Sequence, residues 1–286
     1  MSERREICVT LLEREMVMRE RLSEASSEAI NNMLPDLPDD WQDVTFLELS
    51  PFLFSDLDSE ETSHISLVCL ADAFGRSRSA LFCVFESYAS VKWYRDEKED
   101  IEQASREVFA VHFGKFFAEY NFLFLYAIGE DIAEFILKFL TKTAEFETWK
   151  KNPANKTILN SKRVSSNAAN VGIFMGSKFP RHEITEIILK LRDNDAWKTA
   201  MKYRNTWVHD KPPIVDGLGI QYNRKSRIFN DGGAKGFGLG VWSKHDYSVD
   251  EVIKISHDAT VACVEALSDL LGIVRRKKIE LGNRTL

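Results

Sequence analysis

At 286 residues, 44% hydrophobic and 29% charged, the chain has a globular balance and the length for one large domain or two small ones. Its net charge of −6 excludes a globally basic nucleic-acid coat, so any contact with RNA or DNA must be local. Cys8, Cys69, Cys83 and Cys263 form no CxxC pair and read as free thiols of a reducing compartment. Together with a charge-rich N-terminus in place of an apolar signal core, they predict a cytoplasmic protein.

Residues 3–33 read as one helix, with Ile7, Leu11, Leu12, Met18 and Leu22 among its apolar positions and Pro35 and Pro38 ending it. Nine acidic residues and no Lys or Arg follow between Asp36 and Glu61, as expected of a surface connection. Residues 1–58 are therefore expected to pack, as a helix and an acidic connection, on the domain that follows. Ser59, Glu60, Glu61 and Thr62 suit a helix start, because a hydroxyl caps free amides and early carboxylates complement the dipole. That helical pattern runs to about residue 94, with Gly75 a point where it can break. A second start near Asp96 leads through Val108, Val111, Phe113, Phe116 and Phe117.

Leu125, Ile128, Ile132, Phe135, Ile136 and Phe139 then recur at three- and four-residue steps and form one apolar stripe. Glu130, Asp131, Glu134 and Lys138 interrupt this most apolar stretch, so it reads as a core helix and no membrane association is expected. From about 148 to 180 the chain turns polar, with Asn152, Asn155, Asn160, Asn167 and Asn170, and reads as a long excursion. Helices resume at about 181–192 and 194–209, the second stopped by Lys211-Pro212-Pro213. Two short strands are expected around Ile220–Tyr222 and Phe237–Trp242, joined through Asn230-Asp231-Gly232-Gly233. Ser248 caps a last helix through Val252, Ile255, Ala259, Ala262, Leu267 and Leu271. The predicted fold class is all-α: an up-down helical bundle over 59–286, with insertions at 148–180 and 214–246, the latter a small β-hairpin.

Most motif chemistry is missing. The glycine-rich run Gly232 to Gly240 lacks GxxxxGK[ST], and no helix starts at its end to aim amides at a phosphate. The six histidines give no HxxxH or HExxH, so no metal site is expected, and GxSxG is absent too. No cofactor is implied.

Tyr203-Arg204-Asn205-Thr206-Trp207-Val208-His209 closes a helix. Asn205 and His209 are i, i+4 neighbours on one face, and the long Arg204 side chain can swing towards them. Histidine can move a proton, while a guanidinium can pair with charge building on phosphoryl oxygens, a combination suited to phosphodiester cleavage. Asp210 is placed to orient His209 or to cap a turn, and Trp207 to pack or to stack a base. Arg224, Arg227 and Lys235, in the predicted hairpin region, are candidate RNA-guiding cations, or solvated surface.

In these residues the chain resembles the HEPN superfamily, small α-helical domains whose RNase members carry Arg-x(4–6)-His with a polar residue after the Arg. Tyr203, Arg204, Asn205, Val208 and His209 match the commoner forms, and one further helix follows the motif, as in the family. The resemblance implies metal-independent endoribonuclease activity, with the RNA 2′-hydroxyl attacking the adjacent phosphate at Arg204, Asn205 and His209. It also implies homodimers that bring two motifs together, and a toxin or defence role with an antitoxin or regulatory protein as a further partner. Family toxins paired with nucleotidyltransferase antitoxins often have Tyr two residues after the His, where this chain has Lys211. Two other readings stay open: a non-catalytic module binding RNA or nucleotide, and a helical interaction protein in which the motif is structural.

Overall fold

The computed structural model describes residues 61–96, 103–158, 165–209, 213–216, 227–231, 234–238 and 246–282. The predicted N-terminal helix and acidic connection lie outside them. Helix dominates what is described: α1 (Glu61–Asp96), α2 (Gln103–Phe139), α3 (Thr143–Lys151), α4 (Pro153–Ile158), α5 (Ala168–Lys178), α6 (Glu183–Asp193), α7 (Asp195–His209) and α8 (Val249–Gly282). Two short antiparallel strands, β1 (Arg227–Asp231) and β2 (Ala234–Gly238), pair with Ile228 opposite Phe237. Among the described residues no helix is long and apolar enough to cross a membrane.

Three local expectations change. Gly75 does not break α1, where a Cβ at that position would meet nothing within 4 Å, so the glycine marks an uncrowded surface of a continuous helix. The polar stretch 148–180 is not a bare excursion. Its asparagines work as helix punctuation: Asn167 accepts from the Asn170 amide at 2.9 Å and opens α5, whose Val171, Phe174 and Met175 are fully buried. Asn230 and Asp231, read as turn residues, pair in β1 with Lys235 and Ala234, while the expected strand at 220–222 lies outside the described residues.

The chain divides into two compact units whose boundaries fall within α1, α2, α7 and α8. One unit holds the described residues of Pro35–Leu81, Asn121–Met201 and Ile255–Leu286. The stripe predicted on α2 is its core, with Ile128, Ile132, Phe135 and Ile136 each fully buried alongside Phe146, Phe174, Ile188, Trp197 and Leu267. Glu134 and Lys138 form the expected surface pair at 2.6 Å. Inside this unit Asn121 Nδ2 donates to Ser256 Oγ at 2.5 Å and Thr260 Oγ1 at 2.9 Å, which satisfies buried hydroxyls between α2 and α8.

The second unit holds the described residues of Phe82–Tyr120 and Lys202–Lys254. Trp93, Tyr94, Val91, Val111, Ala118, Val249 and Val252 are buried in it, and Tyr94 stacks on Phe113 with ring centroids 5.5 Å apart. Arg95 ties three helices, donating to Glu107 at 2.8 and 3.0 Å and to Asp250 at 3.0 and 3.2 Å. Ser248 and Glu251 form a reciprocal capping box at the start of α8, at 2.7 and 3.2 Å, so the predicted cap is realised with a partner that completes it. Gly114 lets α2 approach closely here: a Cβ would lie 2.5 Å from Val91 Cγ2 and 3.0 Å from Val249 Cγ2. The Gly114 carbonyl also accepts from Ser87 at 2.6 Å. Gly114→Ala should therefore destabilise the protein by about 2 kcal/mol, overpacking outweighing the gain in helix propensity. A thermal melt equal to or above wild type would refute that packing argument.

Candidate functional site

The motif occupies the last two turns of α7, and the buried face of that helix is what aims it. Tyr203 is 1% exposed, so its side chain points inward and fixes the rotation of the helix. Asn205 and His209 lie 200° and 240° further round at 100° per residue, which puts both on the solvent side. Both are exposed and share one face, the shared face being what the i, i+4 relation predicts, while Arg204 is half-buried at the edge.

Arg204 closes the gap. Its Nη1 donates to Asn205 Oδ1 at 3.0 Å and lies 3.4 Å from His209 Nε2. A guanidinium has no lone pair to offer, so Nε2 can take part in the second contact only as an acceptor. The three predicted residues thus converge at one exposed helix end: a delocalised cation, an imidazole nitrogen with a lone pair and an amide. A phosphodiester approaching from solvent can meet the guanidinium and the imidazole together.

The support behind the site was not read from the sequence. Tyr203 Oη donates to Glu119 Oε1 at 2.9 Å, and the same oxygen pairs with Lys115 Nζ at 2.7 Å. Glu119 is 6% exposed, and the Tyr203 ring packs on Tyr247 with centroids 5.4 Å apart. Lys115 and Glu119 announce a helical ion pair by their i, i+4 spacing, yet the tyrosine that completes the network lies 84 residues away along the chain. Thr206 donates to the Lys202 carbonyl at 2.9 Å, so its hydroxyl is satisfied within α7.

Burial raises the Tyr203 hydroxyl far above the ordinary phenol range, and Glu119 adds to it. Tyr94 and Tyr247, in the same unit, are also raised, in each case first by burial. The unfolded chain ionises these phenols near pH 10, whereas the folded chain holds them neutral, so their stabilising contribution is complete below that pH and is lost above it. Melting temperature should fall as pH rises beyond about 10, and Tyr203→Phe should make that fall shallower. An identical alkaline slope in the variant would show that Tyr203 is not protected.

The remaining site expectations fall elsewhere. Arg227 sits opposite Gly238 and Lys235 opposite Asn230 in the strand pair, while Arg224 and Asp210 lie outside the described residues. Trp207 is half-buried and Val208 is 46% exposed. Among the described residues no group of three or more His, Cys, Asp or Glu side chains stands where it could hold a metal ion. Comparisons with protein-family models, with characterised proteins and with solved structures give no match to this chain.

Proposed function

We propose that this chain is an endoribonuclease of HEPN type that works without a metal ion, built on an HEPN-like bundle with the strand pair as an insertion. The observation that supports the reading is the approach of Arg204 Nη1 to His209 Nε2, with Asn205 on the same guanidinium nitrogen. On this reading Arg204 Nη1 turns from His209 to the phosphate when RNA binds, and the freed Nε2 takes the proton of the RNA 2′-hydroxyl as that oxygen attacks the adjacent phosphorus. The O2′–P bond forms, the P–O5′ bond breaks, and the 5′-oxygen leaves with a proton from solvent or from the imidazolium. Arg204 stabilises the negative charge on the non-bridging oxygens, and Asn205 holds the guanidinium in place. The products are a 2′,3′-cyclic phosphate and a 5′-hydroxyl. A homodimer bringing two such helix ends together, cytoplasmic residence, and a toxin or defence role held in check by a protein partner belong to the same proposal.

The test is to incubate purified wild type and His209→Ala with end-labelled single-stranded RNA and tRNA in EDTA, after matching their melts. Cleavage by wild type with cyclic-phosphate ends, reduced about 100-fold or more in the variant, is the expected result. Binding without cleavage would replace the enzyme by an RNA- or nucleotide-binding module. Neither binding nor cleavage would leave a structural motif.

A further inference from the structure

We infer that Lys202 forms a second phosphate subsite beside the motif, so that the RNA strand runs along α7 from His209 towards the helix N-terminus. The inference rests on the ribonuclease reading and deepens it by fixing the path of a single-stranded polyanion. At 100° per residue Lys202, Asn205 and His209 fall within about 60° of one another on the outer face of α7. All three are exposed and belong to the same unit. Lys202 stands seven residues before His209, roughly 10 Å along the helix axis. A flexible lysine at that remove meets a phosphate further along the strand whose scissile group lies at His209.

Charge availability separates Lys202 from Arg95 and Lys115, two other cations of its unit. Arg95 is held by Glu107 and Asp250, and Lys115 by Glu119. Lys202 is linked to its surroundings through its backbone carbonyl, which accepts from Thr206, and its ammonium has no carboxylate partner among the described residues. An unpaired ammonium on the exposed face of the helix that presents Arg204 releases counterions when a phosphate arrives, and this gives affinity without base preference. Lysine suits that role, since a point charge needs no fixed geometry, whereas the guanidinium of Arg204 suits the reacting phosphate.

The experiment compares wild type, Lys202→Ala, Lys202→Arg and His209→Ala on a dinucleotide, which has one phosphodiester, and on an eight-residue single-stranded RNA. Binding of the longer RNA is titrated against salt. Lys202→Ala should weaken the octamer KM and Kd about tenfold and make the log Kd against log salt slope shallower by about 0.7, while the dinucleotide does not respond. Lys202→Arg should restore both quantities. An unchanged octamer KM and salt slope in a protein that cleaves overturns the Lys202 subsite and leaves the ribonuclease reading standing. Binding weakened by Lys202→Ala in a wild type that never cleaves overturns the ribonuclease and keeps the subsite. Absence of both binding and cleavage removes both.

Discussion

Arg204→Lys is expected to slow RNA cleavage about 100-fold or more while leaving the melting temperature near that of wild type. The substitution keeps one positive charge at the end of α7, so a role in general attraction of RNA would survive it. What it removes is the planar fork. Arg204 Nη1 faces Asn205 Oδ1 and His209 Nε2, a placement set by the planar guanidinium. An ammonium reaching the same place can bond the amide but cannot offer phosphoryl oxygens a fixed pair of parallel donors. Arg204 and His209 should also act as a unit. Once either is gone the other has little left to assist, so the double alanine variant should lose scarcely more than the weaker single variant. Rates are best read under single-turnover conditions with saturating enzyme, which separates chemistry from binding. Full activity in Arg204→Lys would show that the site needs only charge. Losses that multiply in the double variant would show that the two residues act on different steps.

The parts legible from sequence were those governed by spacing within one helix. The α2 stripe, the Glu134–Lys138 pair and the shared face of Asn205 and His209 follow from 3.6-residue periodicity, and each holds in the structure, which turns that last face to solvent. The Ser248 cap was legible for a similar reason, since it operates over three residues. Reading failed where one letter serves two purposes. Asparagine marks loops and also caps helices, so the polar run before Val171 concealed the start of a helix with a fully buried face. Glycine marks breaks but is tolerated within a long helix, and at Gly114 it is required by a close approach that no local pattern announces. The network behind the motif was beyond reach because α2 and α7 meet only in the folded chain.

That network carries the largest stability effect. Glu119→Ala should destabilise the protein by about 3 kcal/mol, because it strands a largely shielded ammonium and a buried phenol at once. The side chains of Lys115 and Glu119 are 13% and 8% exposed, so water cannot readily replace the lost carboxylate. Tyr203→Phe removes a single hydrogen bond and should cost about 1 kcal/mol. The two changes share a partner, so the double variant Glu119→Ala with Tyr203→Phe should be less unstable than the sum of the singles, by about 1 kcal/mol. Glu119→Gln keeps an acceptor for the phenol and loses the charge facing Lys115, which places it between wild type and Glu119→Ala. Because Tyr203 precedes Arg204 by one residue, slackening here turns the end of α7 and misaligns the guanidinium with His209. Well below the melting temperature, Glu119→Ala should then lower the single-turnover cleavage rate at saturating enzyme, with RNA affinity little changed and Glu119→Gln restoring part of the rate. A purely structural contact predicts a lower melting point with full activity in the folded fraction, and that outcome would separate the stability of this helix from the alignment of its site.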